Sequence, residues 1–228
     1  MKMKLSIPSP DPRLNKKYYQ HATLVRRFVV FTLRVLLFVF SDRKVTGIKN
    51  IPAEGAGVIA ANHLTSFDVF PLQISIPRTM IFMGKAELYQ NPLSDLFYRQ
   101  LVSVPVYRGS KDTWAIEKSA EVLHNGHLLA MFPEGTRSKG RGLKPGKTGA
   151  ARLALLCNCP ITPVGITGTH RVFKDFPRRT PVRINIGEAL FPEPNETALA
   201  LTERLMFNLA ELLPPELRGV YTERSEDF

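Results

Sequence analysis

Two residues able to hold and move a proton stand five apart in the segment Gly57–Pro71, GVIAANHLTSFDVFP: His63 and Asp68. A carboxylate held against one imidazole nitrogen fixes the tautomer and leaves the other nitrogen as a base aimed at a hydroxyl. The spacing alone says little, because His and Asp are frequent cap and loop residues. A second cluster adds to it. The segment Phe132-Pro133-Glu134-Gly135-Thr136-Arg137-Ser138 follows the apolar run Leu128–Phe132. From Arg137 to Lys147 there are five cations (Arg137, Lys139, Arg141, Lys144 and Lys147) and no acid. A glycine-bearing loop crowded with cations suits a phosphate. A third segment, Val104-Pro105-Val106-Tyr107-Arg108-Gly109, offers Arg108 as a second prong for the same anion.

Such loops need a scaffold that gathers them. After residue 44 short apolar runs alternate with helical patterns, the signature of an α/β fold. The patterns predict strands over Val45–Ile48, Gly57–Ala61, Thr79–Met83, Val102–Val106, His127–Phe132, Ile161–Ile166 and Val182–Ile186. Helices are expected over Phe67–Ser75, Pro92–Gln100, Thr113–Asn125, Thr148–Cys157 and Glu196–Leu213. The expected fold class is therefore α/β, a central mostly parallel or mixed sheet flanked by helices. His63 and the 132–138 segment both follow predicted strands, at the carboxyl ends where such sheets collect ligands. Ser66 reads as the N-cap of the next helix, which puts Asp68 in its first turn. Thr222–Phe228 reads as a frayed polar tail.

Charge divides the chain. Of the net +11, residues 1–50 carry 11 Lys or Arg against Asp11 and Asp42, leaving only +2 for the remainder. Within this arm the stretch Leu24–Phe40, LVRRFVVFTLRVLLFVF, is apolar but interrupted by Arg26, Arg27 and Arg34. As a helix it is about 26 Å long, short for a bilayer core, and Arg34 falls near its middle. Arg27 and Arg34 share one face while Phe28, Phe31, Val35 and Phe38 cover another. That pattern predicts an amphipathic helix lying in a membrane interface, helped by Lys16, Lys17 and Lys44. Residues 1–44 are accordingly read as a membrane-associating arm and 45–228 as the main domain, with the cytoplasmic face expected. Nucleic acid is disfavoured as a partner, because the cations are interleaved with Phe, Val and Leu. A non-catalytic membrane-surface adaptor remains as the reading from a different class.

Other chemistries fit poorly. Cys157 and Cys159 are too close for a comfortable disulfide and too few for a metal cage, so both read as reduced and packed. No metal is expected: His124 and His127 have no nearby Asp, Glu or Cys to complete a site. Gly142–Thr148 has one residue too few for a P-loop, and no G-x-S-x-G elbow occurs.

NHLTSFD, VYRG, FPEGTRS and ITPVGI occur in the order and approximate spacing of the glycerophospholipid acyltransferases, and the chain most resembles the 1-acylglycerol-3-phosphate acyltransferases. The resemblance covers about residues 45–190, and the basic apolar arm also looks like that family's membrane-docking helices. It implies that His63 and Asp68 are the catalytic dyad. It implies that Arg108, Glu134, Gly135, Thr136 and Arg137 bind the acceptor phosphate, and that Pro163 helps shape the acyl-donor site. Lys85, in MGKAEL, sits where relatives often place a lysine; it and backbone amides near Gly135 are alternative oxyanion donors. The implied reaction is acyl transfer from acyl-CoA or acyl carrier protein to lysophosphatidic acid, without any further cofactor. Another lysolipid or glycerol-3-phosphate could use the same apparatus. The implied partners are a bilayer surface, a lysophospholipid acceptor and the thioester carrier.

Overall fold

A computed structural model describes residues 11–16, 18, 23–100, 103–107 and 111–222 of the chain. Its centre is a seven-stranded mixed sheet: β1 Ser41–Thr46, β2 Gly57–Ala61, β3 Met80–Lys85, β4 Ser103–Val106, β5 Leu128–Met131, β6 Ile161–Thr167 and β7 Thr180–Ile186. The spatial order is β1-β7-β6-β2-β5-β3-β4. All neighbouring pairs are parallel except β6 and β7. The expected α/β fold class is thus found, in its mixed form.

β2 lies at the middle, and all five of its residues are buried. That burial explains why GVIAA is an unbroken run of small and apolar side chains rather than an alternating one. Helices cover both faces: α1 Leu24–Phe40, α2 Val69–Ser75, α3 Pro92–Gln100, α4 Thr113–His124, α5 Gly149–Leu156 and α6 Ala198–Glu211. One core layer joins Val58, Ala60, Leu129 and Ile161 to α4, α5 and α6. The other joins Ile59, Ala61, Ala130, Val164 and Ile184 to Leu37 of α1 and Leu72 of α2.

α1 occupies the predicted span. Thr23 caps it by accepting from the Arg26 amide, and Ser41 Oγ closes its far end by donating to the Leu37 carbonyl at 2.6 Å. It packs inward through Leu37 with Val30, Leu33 and Phe40, while Phe28 (70 % exposed), Phe31 (64 %) and Phe38 (72 %) face outward. Arg26, read from the sequence as one of the interrupting cations, is buried, and burial lowers its pKa to about 10. Among the described residues no helix is long and apolar enough to cross a membrane.

β1 differs from its predicted span. It starts at Ser41, directly after α1, so position 44 falls inside it, and Ile48–Asn50 form a 3-10 turn instead. Pairing of Ser41–Thr46 with Thr180–Asn185 decides this, and Gly47, at φ 72, turns the chain out where any Cβ would meet the Ile186 carbonyl. Near the amino terminus Arg13 is buried between Asp11 and Asp112, with its guanidinium over the Tyr107 and Trp114 rings. Residues 11–16 are therefore strapped onto the end of β4.

Candidate active site

β2 ends at Ala61, and the next residue locks the loop in place. Asn62 is buried and pairs with Ile166 twice, its Nδ2 donating to the carbonyl at 2.9 Å and its Oδ1 accepting from the amide at 2.6 Å. His63 follows, with its ring stacked on Phe132 at 4.0 Å between centroids and 17° between planes. The chain then turns through the 3-10 segment Ser66–Asp68 into α2. Its cap is Thr65, not Ser66: Thr65 and Asp68 form a capping box, each side chain accepting from the other's end of the turn.

This box swings Asp68 back onto the imidazole. Nδ1 of His63 lies 2.9 Å from Asp68 Oδ2, and that same oxygen accepts from the Thr65 amide at 2.8 Å. Oδ1 accepts from Thr169 Oγ1 at 2.5 Å and from Thr65 Oγ1 at 3.3 Å. Asp68 is fully buried, whereas the His63 ring keeps a little exposure. Facing a carboxylate oxygen that already accepts from the Thr65 amide, Nδ1 serves as the donor of the pair, which leaves Nε2 as the basic nitrogen. Nε2 makes no hydrogen bond among the described residues.

The 132–147 loop is docked against this turn. The amides of Ser138 and Lys139 donate to the carbonyls of His63 and Leu64, at 2.7 and 3.2 Å. Glu134, grouped with the phosphate-binding block by the family resemblance, turns inward. Its Oε1 accepts from the His63 amide at 2.8 Å and its Oε2 from the Lys144 amide at 3.2 Å. Burial pushes its carboxyl above the usual range, and those two hydrogen bonds pull it back only in part. Glu134 is thus a brace between the two loops.

Arg137 turns outward instead. Its side chain is exposed, and Nη1 donates to Ser66 Oγ at 2.8 Å, two residues from Asp68. Lys144 Nζ donates to the Arg137 carbonyl at 2.9 Å. Gly135, at φ 65, gives its amide to the Phe132 carbonyl, and the Lys147 side chain crosses where a Cβ would stand. Thr136 is exposed beside them. Arg137, Lys144 and Lys147 therefore rim a loop whose base holds the histidine. Cations on the rim and an imidazole at the base are the groups needed to bind a phosphate and to deprotonate a hydroxyl attached to it.

The remaining predicted residues are more dispersed. Arg108 lies outside the described residues, although the Tyr107 amide just before it is fixed by Asp112 Oδ2 at 2.8 Å. Lys85 is exposed at the end of β3, two strands from β2. Pro163 stays inside β6, paired with Ala60, with its carbonyl accepting from Gly187. The contacts of Thr169, Asn62 and Phe132 are what the sequence reading missed. Thr169 comes just after the ITPVGI block, and nothing in its local pattern marks it as a partner of Asp68.

Several known proteins are similar to this chain. Residues 42–167 match the family described as Acyltransferase, a span holding both loops. The chain is 29 % identical over 193 residues to a 1-acyl-sn-glycerol-3-phosphate acyltransferase of Bacillus subtilis, covering 82 % of this chain and 96 % of that one. It is 33 % identical over 119 residues to the enzyme of the same name from Escherichia coli, covering 50 % of this chain and 48 % of that one. Among solved structures, the 1-acyl-sn-glycerophosphate (LPA) acyltransferase PlsC from Thermotoga maritima superposes with a TM-score of 0.66 at 27 % identity, covering 82 % and 79 % of the two chains. A family match that spans more than half of the residues and includes both loops means that this chain belongs to the Acyltransferase family.

Proposed function

We propose that this acyltransferase moves a fatty acyl group from a thioester, carried on CoA or acyl carrier protein, to the free hydroxyl of lysophosphatidic acid, yielding phosphatidic acid. The observation that carries the reading is the His63 Nδ1–Asp68 Oδ2 contact of 2.9 Å beside the outward Arg137. Nε2 takes the hydroxyl proton as that oxygen attacks the thioester carbonyl, and Asp68 stabilises the imidazolium that forms. The tetrahedral oxyanion collapses, the carbon–sulfur bond breaks, and the imidazolium returns its proton to the leaving thiolate. Substrate hydroxyl replaces an enzyme nucleophile, so no acyl-enzyme forms.

Arg137 and Lys147 hold the acceptor phosphate and so place the hydroxyl against Nε2. Arg108 is the second prong of that clamp. Glu134 is a positioning residue, setting the His63 backbone relative to the 132–147 loop. The Gly135 amide is committed to the Phe132 carbonyl, which leaves Lys85 and the amides of Thr136 and Arg137 as oxyanion donors. α1 lies on the cytoplasmic face of the membrane, with Phe28, Phe31, Val35 and Phe38 inward and Arg27 and Arg34 at the headgroups.

The test offers labelled acyl-CoA and acyl carrier protein thioesters with lysophosphatidic acid, other lysolipids and glycerol-3-phosphate, and identifies products by mass spectrometry. Phosphatidic acid should dominate and vanish in His63→Ala. A folded His63→Ala protein with near-normal turnover removes the base, and a chain inert with every pair is an adaptor.

A further inference from the structure

A second cluster of cations lies apart from the acyl-transfer chemistry. A cavity of about 400 Å³ opens beside the carboxyl half of α1, lined by Arg34, Arg43 and Arg179, with Val35 and Phe38 as apolar walls and Ser41 between them. Among the described residues no carboxylate lines it. Arg179 is held by donating from Nε and Nη2 to the Ser41 carbonyl, at 3.1 and 2.7 Å, with its guanidinium 4.9 Å from the Phe38 ring centroid. The Nη1 of Arg43 is shut off from solvent and has no hydrogen-bond partner among the described residues. Burial, and then the charge of Arg34, hold Arg43 below the usual arginine range. Like charges gathered around a buried donor that lacks an acceptor are unfavourable unless an anion joins them.

The sheet register says what that anion can be. Ser41 pairs with Thr180 at the starts of β1 and β7, and β7 runs antiparallel to β6. Those starts therefore lie at the end of the sheet where β2 delivers His63. A chain of rings joins the two places: Phe40 packs on Phe173, and Phe173 on Phe67, next to Asp68. The cavity also borders the outward stripe of α1, where Phe31 and Phe38 stand exposed. We propose that this pocket binds the headgroup phosphate of an anionic phospholipid, one lipid per chain, with its acyl chains lying along Phe31 and Phe38. The inference rests on the reading of α1 as a bilayer-docking helix.

Binding of the full chain to phosphatidylcholine vesicles, with and without phosphatidylglycerol, tests it. Arg43→Gln and the more exposed Arg34→Gln are compared with Lys44→Gln, which removes the same charge from the opposite face of β1. Each arginine variant should weaken binding to the phosphatidylglycerol vesicles about tenfold, the worth of a charge-assisted phosphate contact. Lys44→Gln should cost no more than about fivefold, as a diffuse surface charge. Equal losses in all three variants overturn the pocket in favour of a general field. Millimolar inorganic phosphate that abolishes the phosphatidylglycerol preference overturns the lipid and leaves a free-anion site. Binding to both vesicle types with no arginine-dependent preference overturns the pocket alone. Failure to bind either type overturns the docking of α1, and the lipid assignment with it.

Discussion

Replacing Asp68 by Asn changes one buried oxygen into an amide while keeping the shape of the side chain. Oδ2 of Asp68 faces two groups, the His63 Nδ1 at 2.9 Å and the Thr65 amide at 2.8 Å, and the latter can only donate. Oδ1 faces two hydroxyls, those of Thr169 and Thr65, which can rotate to accept. The asparagine oxygen therefore takes the Oδ2 place, its amino group faces the hydroxyls, and the fold and the imidazole tautomer persist. Only the negative charge is lost. In the transition state of the proposed mechanism an imidazolium sits 2.9 Å from that charge. At an effective dielectric constant of about 20 the attraction is at most about 6 kcal/mol. The dipole of the new amide and the exposed ring edge bring the net loss to about 3–4 kcal/mol, or about 10²–10³ in kcat. The assay follows labelled acyl transfer at saturating donor and acceptor, with thermal unfolding as the control. The acceptor KM should stay within about threefold, because the residue touches no substrate. A folded Asp68→Asn protein that keeps kcat within about threefold of the parent would refute the argument that the carboxylate charge supports the reaction.

Arg137→Ala removes an exposed guanidinium that hydrogen-bonds Ser66 Oγ, so it should raise the acceptor KM by about 10–100-fold with little change in kcat; an unchanged KM takes it out of the phosphate site. Burial lifts the Glu134 carboxyl above its ordinary 4.5, so the folded chain holds that proton more tightly than the unfolded one. Its contribution to stability is complete below 4.5 and is lost as pH rises through the folded value, so the melting temperature of the parent relative to Glu134→Gln should fall as pH rises from 4.5 toward neutrality. A difference that moves the other way contradicts a net cost of burying the charge. Burial pushes Cys159 up to about 12 and raises Cys157 less. Iodoacetamide should therefore leave the native enzyme active and reach Cys157 first, and rapid labelling of Cys159 without unfolding would count against its packing.

The parts of the site visible in the sequence are those whose cause is local. β2 is legible because a strand buried on both faces has to be apolar throughout, and it ends at a polar pair, Asn62-His63, which fixes where the loop begins. The 132–138 segment is legible for the same reason, from the run that precedes it. What escapes the sequence is set by distant partners. Thr169 lies 101 residues from the carboxylate it supports, and Asn62 lies 104 from Ile166. Arg13 reaches Asp112 across 99 residues. Such pairs leave no periodic trace. Ser66 and Thr65 are both good caps on type alone, and only the return of Asp68 to the Thr65 amide selects between them. Glu134 is the instructive case: a motif groups it with cations, whereas two backbone amides claim its oxygens.

The junction between Phe40 and Ser41 has a consequence for selectivity. Helix passes into strand with no spacer, and the Ser41 hydroxyl ties the joint to the last turn of the helix. Tilt of α1 is therefore tilt of the whole sheet, and the altitude of the imidazole above whatever surface the helix rests on is set by the protein's own skeleton. An acceptor whose hydroxyl floats higher or sinks deeper than that level is out of reach however well its head fits. On the proposed docking of α1, discrimination among lysolipids would work partly as a ruler, with headgroup length measured against a fixed arm.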